Sequence, residues 1–425
     1  MNVLIKNCKI VDDISVLRIN SDILIENGVI RDIAVSSKKA FSAVKADKTV
    51  DMSGCCVCPA FVDIGADLCD PGFTSREDIS SGTRAATEGG YSKIYISPKT
   101  EPQIDNAEAV RNIRTAAKNR AFCDVEPMAS AFQNGKTNDI RSLFECGVRA
   151  VFDACDKNVS QSEVLFAMTE CAKYGILFVS CCQSPDFSGE INRGRMTKIL
   201  NLDGIPSCAE TITAFEKISL AKAAGCRLLL CDISCGETAE IIREAKKTSN
   251  NIFASTSAEY FALSEDDVLF YGANAKLLPP LRTKNDIERI IAAIKDGTVD
   301  CIFSSHSPKT QYEKNDLKSA LFGSIGLETT FAAANTYLCD KGHISLPMLI
   351  KLLSKNPADI LGISKDGYGK IETGKEARIC AFDPGGNMLV GRTSIKSKSF
   401  NTPFMGMNLS GKIKALVLGE QIYTF

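Results

Sequence analysis

The chain has 425 residues, of which 44% are hydrophobic and 24% are charged, and its formal net charge is -1. This length predicts two or three structural units, and the near-neutral charge argues against a nucleic-acid groove or a patch for anionic membranes. We expect no signal peptide and no membrane-spanning segment, and therefore a cytoplasmic protein.

Two residue types occur at unusual frequencies. Eighteen cysteines are scattered from Cys8 to Cys380. In a large chain without an export signal we expect them to be reduced, buried thiols rather than a disulfide framework. Histidine occurs only twice, at His306 and His343.

The N-terminal residues 1–55 contain short apolar runs that are interrupted by the turn signal Asn27-Gly28, a pattern typical of β-strands. The C-terminal residues 366–425 have the same texture. Neither segment is long enough to bury a core of its own. We therefore predict that both termini form one small β-sandwich domain.

Between them, residues 56–365 alternate short apolar runs with amphipathic stretches. The runs are apolar almost throughout, as expected of strands covered on both faces. Eight such units over about 250 residues predict an α/β fold with a (β/α)8 barrel of the TIM type, and a doubly wound open sheet is the alternative. The predicted strands are Val57–Asp67, Tyr91–Ile96, Cys123–Ala129, Arg149–Asp153, Ile176–Cys182, Arg227–Ser234, Ile252–Ala258 and Asp300–Ser307.

Three of the intervening helices have recognisable start and stop signals. Ser75-Arg-Glu-Asp78 is a cap-like start, and Gly89-Gly90 ends the same helix. Residues 207–224 and 285–297 have apolar side chains at helical spacing.

Six local motifs follow one another along the chain, namely Cys58–Asp63, Asp70–Gly72, Gly272–Arg282, Phe322–Thr329, Leu353–Gly362 and Asn401–Phe404. Nearly end to end and in the same order, they resemble motifs of dihydroorotases, the cyclic amidohydrolases of pyrimidine synthesis within the amidohydrolase superfamily. The resemblance implies a barrel of the metal-dependent hydrolase type with a composite β domain.

Activity in this family implies one or two metal ions, which polarise a carbonyl and activate a bound water. The metals are held chiefly by histidines at the carboxyl ends of the barrel strands. The matching positions carry other residues here, although His306 is retained after the eighth strand. The His-x-His pair reads Gly65-Ala66-Asp67, the histidines of strands five and six are replaced by Ser180 and Asp232, and the general base is replaced by Ser305.

Other functional positions of the family also differ. The bridging acid of the fourth strand has only an ambiguous match within Phe152–Asp156. Three groups that hold substrate in the family, an arginine, an asparagine and a second histidine, are Cys69, Lys99 and Lys309. Ordinary dihydroorotase activity is therefore not expected.

Two interpretations are open for the side chains that remain. Asp67 and Asp232 form either an oxygen-rich cation site or, as we expect, a hydrogen-bonded lining paired with Lys99 or Lys309. Strand alternation from Ser180 predicts that Cys182 and Asp232 point inward and that Cys181 and Cys231 point outward. Cys69, Cys182 and Cys235 would then approach the mouth and, with Asp67 or Asp232, could bind zinc.

The spacing of these cysteines resembles no compact zinc motif, so packing is the favoured interpretation. His306 is either a lone general base, with Ser305 or Cys182 as nucleophile, or a structural residue, and we favour the second. His343 lies at a turn signal, where we expect it to be solvated.

These observations predict a non-catalytic dihydroorotase homologue with no cofactor and no bound metal. Its expected role is assembly or regulation as a homodimer, without nucleic-acid or membrane partners. The resemblance to family members that lack metal ligands implies that it supports aspartate carbamoyltransferase. The alternative is a divergent hydrolase of cyclic amides with a rebuilt zinc or metal-free site, and a small-molecule sensor is a third, less specific possibility.

Overall fold

The computed structural model of the chain describes residues 1–12, 18–35, 41, 46–154 and 159–425. Its strands are β1 (Asn2–Ile10), β2 (Arg18–Glu26), β3 (Val29–Val35), β4 (Lys48–Asp51), β5 (Cys56–Pro59), β6 (Phe61–Ala66), β7 (Tyr91–Ile96), β8 (Asp124–Pro127), β9 (Ala129–Ser130), β10 (Phe132–Gln133), β11 (Lys136–Thr137), β12 (Ala150–Asp153), β13 (Leu177–Cys181), β14 (Ile191–Asn192), β15 (Gly204–Ile205), β16 (Leu228–Cys231), β17 (Ile252–Ser257), β18 (Cys301–Phe303), β19 (Arg378–Leu389), β20 (Asn408–Leu418) and β21 (Gln421–Thr424).

The α-helices are α1 (Ile79–Glu88), α2 (Ala107–Arg120), α3 (Ile140–Glu145), α4 (Gln161–Tyr174), α5 (Arg195–Leu200), α6 (Cys208–Ala224), α7 (Gly236–Lys246), α8 (Ala258–Ala262), α9 (Val268–Tyr271), α10 (Lys284–Lys295), α11 (Thr330–Ala334), α12 (Leu346–Ile350) and α13 (Asn356–Ile360). A π-helical segment, Asn335–Cys339, continues α11, and another, Lys351–Lys355, joins α12 to α13. Single 3-10 turns cover Glu265–Asp267, Gly272–Ala275, Tyr312–Lys314 and Ser364–Asp366.

Nine parallel segments form the barrel, because its third strand is divided into β8 and β9. The hydrogen-bonded order is β6-β7-β8 and then β9-β12-β13-β16-β17-β18. Met128 N, at the interruption, donates to Ile96 O at 3.0 Å. The barrel closes between its last and first strands, where Asp67 N donates to His306 O at 2.8 Å. This closure confirms the predicted (β/α)8 barrel and excludes the open sheet.

The first predicted strand, Val57–Asp67, is two strands in the structure. Its first part, β5, pairs with β1 and β19 in the sheet of the termini, and its second part, β6, begins the barrel. The change occurs at Ala60, whose N donates to Arg378 O, whereas the next amide, that of Phe61, donates to Gly90 O. The sheet of the terminal domain therefore extends four residues beyond residue 55.

The predicted helices are present with small shifts at their ends. The first begins at Ile79 rather than near Ser75, because the Asp78 carboxylate accepts the Ser81 amide and makes Asp78 the N-cap. Gly89 ends this helix, as predicted. The helices predicted over 207–224 and 285–297 are α6 and α10.

The two termini form one eight-stranded sheet in the order β21-β20-β19-β5-β1-β2-β3, with β4 paired to β1. Along β19 the side chains alternate between two apolar clusters. Ile379 and Ala381 belong to the core of the terminal domain, whereas Cys380 and Phe382 pack toward the barrel. Phe331 joins the two units, since its ring lies 4.8 Å from that of Phe382 and 5.5 Å from that of Phe61.

Within the described ranges, no helix is long and apolar enough to cross a membrane. The 17 cysteines that the structure describes form no disulfide with one another. Cys155 lies outside the described residues.

One carboxyl group in the barrel shell is buried in a way that destabilises its ionised form. Glu328 is 6% exposed, and its Oε2 has no hydrogen-bond partner among the residues described. Burial raises the pKa of Glu328 to about 8, and the nearby carboxylates of Glu77 and Glu88 raise it further. Hydrogen bonds from the amides of Lys396 and Ser397 oppose this rise. In the unfolded chain the same carboxyl ionises near pH 4.3.

Glu328→Gln should therefore stabilise the protein in alkaline solution. Because the folded pKa is raised, the wild-type chain loses stability as pH rises from about 4 to about 8, and the neutral amide removes this loss. We expect a gain of about 5 kcal/mol above pH 8 and little change at pH 4. Thermal or urea unfolding across pH 4–9 measures this difference. Glu244→Gln, at an exposed position, should leave the pH profile unchanged, and an equal effect of both substitutions would contradict the assignment.

Candidate functional site

The barrel encloses a cavity of about 140 Å³ at the carboxyl ends of its strands. This is the end of a (β/α)8 barrel where active sites are found. The cavity is lined by Ile64, Gly65, Asp67, Lys99, Phe152, Cys181, Cys231, Asp232, Ser257, Glu259, Tyr260, Leu277, Leu278, Ser305, His306, Ser307, Phe322, Gly323 and Ser324.

Asp67 has partners on both carboxylate oxygens. Ser97 Oγ donates to Oδ1, and Ser307 Oγ donates to Oδ2 at 2.6 Å. Lys309 Nζ donates in turn to Ser307 Oγ at 2.9 Å. Burial lowers the pKa of Lys309, and the nearby Asp67 carboxylate opposes that shift. The predicted pairing of Asp67 with Lys309 therefore passes through a serine hydroxyl, one that we had not predicted as a site residue.

Asp232 forms a hydrogen-bonded pair with Ser305, whose hydroxyl donates to Oδ1. Both residues have positive φ, 58° and 47°, an uncommon backbone conformation for residues other than glycine. Burial raises the pKa of Asp232 to about 7, although the hydrogen bond from Ser305 lowers it. The two positions that match a histidine and an aspartate of the family thus carry side chains that form a hydrogen bond with each other.

The predicted orientation of the cysteines on strands five and six is wrong. Cys181 and Cys231 line the cavity, whereas Cys182 is buried in the apolar layer between barrel and helices. Val179 and Leu229 point into the barrel interior. Because side chains alternate along a strand, the inward-facing positions are therefore shifted by one residue from those that we predicted. Asp232 reaches the cavity nevertheless, since its positive φ interrupts the alternation at the end of β16.

The remaining members of the predicted thiolate site do not reach the cavity. Cys69 is buried with φ 59°, and burial raises its pKa to about 12. Cys235 is buried at the start of α7, and its pKa is likewise raised to about 12 by burial. Neither these two cysteines nor Cys182 is among the residues that line the cavity.

Strand four carries a buried carboxylate that is part of the barrel shell. Asp153 forms an ion pair of 2.7 Å with Lys217 of α6 and accepts a hydrogen bond of 3.0 Å from Ser180 Oγ. Burial raises the pKa of Asp153, and Lys217 opposes the rise. Ser180 is thus the partner of a structural ion pair, while Asp156 lies outside the described residues.

His306 is completely buried, and both of its ring nitrogens face protein groups. Its Nδ1 accepts the Gly326 amide at 3.3 Å, which leaves the proton on Nε2, and Nε2 lies 3.4 Å from Glu77 Oε2. Burial works against ionisation of Glu77, but the neighbouring His306 and the hydrogen bonds from Ser397 and Ser81 outweigh it and lower the pKa. This geometry favours the structural interpretation of His306. His343 is half-buried in a turn distant in sequence from the barrel strands.

Two further charged side chains border the cavity. Lys99 is exposed, and its Nζ lies 5.5 Å from the centre of the Phe152 ring. Glu259, in α8, is 2% exposed, and burial raises its pKa. The sequence analysis did not identify Glu259 as a site residue, because Glu259 lies outside the motifs that resemble the family.

These side chains do not fit the metal centre that the family resemblance implies. No group of three or more histidine, cysteine, aspartate or glutamate side chains is arranged to hold a metal ion in the described part of the chain. Asp67 and Asp232 are instead bonded to serine hydroxyls, which are poor metal ligands compared with neutral imidazole.

The motifs that carried the resemblance hold the barrel together. Arg282 is 3% exposed and bonds to Asn192, Ser234 and Glu210. Asn401 spans the loop after the eighth strand, because it donates to the carbonyls of residues 307 and 323 and accepts the amide of residue 309. Ser354 Oγ donates to Ala60 O at 2.8 Å.

The fold and the position of the cavity define an amidohydrolase-type (β/α)8 barrel. Two solved structures share it across nearly the whole chain. An L-hydantoinase from Arthrobacter aurescens has a TM-score of 0.90 at 22% identity and covers 99% of this chain and 96% of its own. A dihydropyrimidinase from Brevibacillus agri has a TM-score of 0.87 at 21% identity and covers 100% of this chain and 95% of its own.

Sequence comparison identifies the family within this class. The Dihydro-orotase-like family model matches residues 54–238. A dihydroorotase of Thermoanaerobacter sp. (strain X514) is 35% identical over 99% of this chain and 97% of its own length. A dihydroorotase of Trichlorobacter lovleyi is 34% identical over 99% of both chains. The chain belongs to the dihydroorotase-like family.

Lys217→Met should destabilise the fold by about 3 kcal/mol, because it leaves the Asp153 carboxylate buried without its cation. The double variant D153N/K217M should recover most of this loss, since no buried charge remains. Urea unfolding measures both. The control Lys222→Met lies on the exposed side of the same helix and should cost less than about 0.5 kcal/mol. Equal stability of K217M and wild type would show that the pair contributes nothing.

Proposed function

We propose that this chain is a non-catalytic member of the dihydroorotase-like family that acts in assembly or regulation. The observation that carries the proposal is the state of the barrel mouth. Each position matching a family ligand is either unable to coordinate a metal or already bonded to a neighbouring side chain, as Asp232 is to Ser305. The barrel around it retains its buried polar contacts. A protein selected for its surface rather than its cavity has these properties.

The first test measures metal content and activity together. Protein purified without added metal should contain far less than one equivalent of zinc, manganese, iron or cobalt by mass spectrometry. It should not hydrolyse dihydroorotate, hydantoin or dihydrouracil, either as isolated or after incubation with zinc or cobalt. A catalytically active dihydroorotase assayed in parallel provides the control. Stoichiometric metal with turnover at enzymatic rates would refute the proposal.

The outer face of the barrel supports an assembly role. Phe166 of α4 and Ile212 and Phe215 of α6 are large apolar side chains that are 55%, 51% and 65% exposed. Ile212 and Phe215 also line a shallow groove of about 560 Å³ together with Ile241. The exposed apolar surface that Ile212 and Phe215 share is of the kind found at protein–protein contacts. We propose that it serves a homodimer and the docking of an aspartate carbamoyltransferase.

The second test therefore concerns the partner. Tagged wild-type protein should form a dimer in analytical ultracentrifugation and should retain aspartate carbamoyltransferase from the lysate of its own organism. The double variant I212K/F215K should lose at least one of these associations while its thermal unfolding stays near that of wild type. Tyr312→Lys changes an 89% exposed aromatic residue elsewhere on the surface and should leave both associations intact. Unchanged association of I212K/F215K would remove this surface from the proposal.

A second candidate function is favoured by one observation, the hydrogen bond from Ser305 to Asp232. A serine hydroxyl beside a carboxylate with a pKa of about 7 is a nucleophile–base arrangement for metal-free hydrolysis of a cyclic amide. If this pair is catalytic, metal-free protein should hydrolyse a cyclic amide at a rate that falls as pH drops below about 7, because protonated Asp232 cannot accept the serine proton. Ser305→Ala should abolish that rate and Ser319→Ala, at an exposed position, should preserve it. Equal rates in both variants would exclude this mechanism.

A further inference from the structure

The barrel mouth brings two cysteine side chains together on adjacent strands. Cys181 ends β13 and Cys231 ends β16, and the two residues are direct partners in the parallel register of these strands. Their thiols share a hydrogen bond, and Cys231 Sγ also contacts Ser180 O at 3.2 Å. Neighbouring strands lie about 4.8 Å apart, within the range of about 4.4–6.8 Å between Cα atoms that a disulfide spans.

Access distinguishes this pair from the other paired cysteines. Cys181 is half-buried and Cys231 is 5% exposed, and both line the cavity. Cys58 and Cys380 are also direct register partners with a thiol–thiol hydrogen bond, but both are 0% exposed in the apolar layer beneath the terminal sheet. The same local contact is therefore open to small molecules in one case and sealed in the other.

We propose that Cys181 and Cys231 form a redox-active dithiol that hydrogen peroxide, or a hydroperoxide of similar size, oxidises to a disulfide. The cavity has room for several molecules the size of water, so a small peroxide can reach Cys181, the more exposed thiol. This proposal stands whether or not the chain is catalytic.

The reaction balances in two steps. The Cys181 thiolate attacks one peroxide oxygen, so that an S–O bond forms, the O–O bond breaks, and the departing hydroxide becomes water on protonation. Cys231 sulfur then attacks the Cys181 sulfenic acid, so that the S–S bond forms, the S–O bond breaks, and the hydroxyl leaves as a second water with the thiol proton. In sum, two thiols lose two electrons and one peroxide is reduced to two waters. Thiols that open on the cavity also leave the product accessible to a small reducing dithiol.

The experiment treats the reduced full-length protein with graded hydrogen peroxide, blocks the remaining thiols, and maps linked peptides by mass spectrometry. In wild type the expected first product is a Cys181–Cys231 disulfide, with a fall from 18 to 16 titratable thiols in denaturant and full reversal by dithiothreitol. The Cys58 and Cys380 peptides should remain unlinked until the protein unfolds.

Two variants separate the steps. In Cys231→Ser the resolving thiol is absent, so Cys181 should accumulate as a sulfenic acid that dimedone traps. Cys146→Ser removes a half-buried thiol outside the cavity and should behave as wild type. Peptide mapping of wild type decides the question even if a variant fails to fold. Linkage of Cys181 to any cysteine other than Cys231, or oxidation of Cys55, Cys146, Cys208 and Cys339 while Cys181 stays a thiol, would overturn the proposal.

Discussion

Closure of the barrel depends on one buried carboxylate, that of Asp63. It lies in β6 and accepts hydrogen bonds from the backbone amide and the hydroxyl of Ser304, both at 2.7 Å, at the end of β18. The carbonyl of Ser304 lies so close to Gly326 that a Cβ at that glycine would be 1.8 Å away. Two residues after Ser304, His306 accepts the amide of Gly326 and lies beside the carboxylate of Glu77. These contacts join the first barrel strand, the last barrel strand and the loop that follows it. The close approach of the Ser304 carbonyl leaves room only for glycine at position 326.

The same junction determines the chemistry of the cavity. Ser305 and Ser307 flank His306, and they donate to Asp232 and Asp67 on two different walls. Because the backbone of residues 304–306 is fixed, these hydroxyls are presented to the carboxylates without further adjustment. The carboxylates obtain their hydrogen bonds from the protein itself, as buried acids must. A barrel mouth arranged in this way is stable without a bound ion, which is the physical basis for the proposed non-catalytic role.

Several features were predictable from local sequence. Eight apolar runs at regular spacing gave all eight strands, and cap and glycine signals gave the helices to within a few residues. The positions of Asp67, Asp232 and Ser305 at the mouth followed from the family motifs. The orientation of Cys181 and Cys231 did not, because a period-two pattern in an almost wholly apolar strand has no polar face to set its phase. The positive φ at Asp232 added a second change of direction that no propensity indicates.

The sequence by itself determined the fold, the family and the scarcity of imidazole, since apolar periodicity, turn residues and motif order are local properties of the chain. Only the tertiary structure decided which side chains share the cavity. The Asp153–Lys217 pair, the contact of His306 with Glu77 and the juxtaposition of two cysteines each join residues from different elements. Their partners are fixed by strand register and by the packing of helices on the barrel. Such long-range contacts have no signature in the sequence on either side of them.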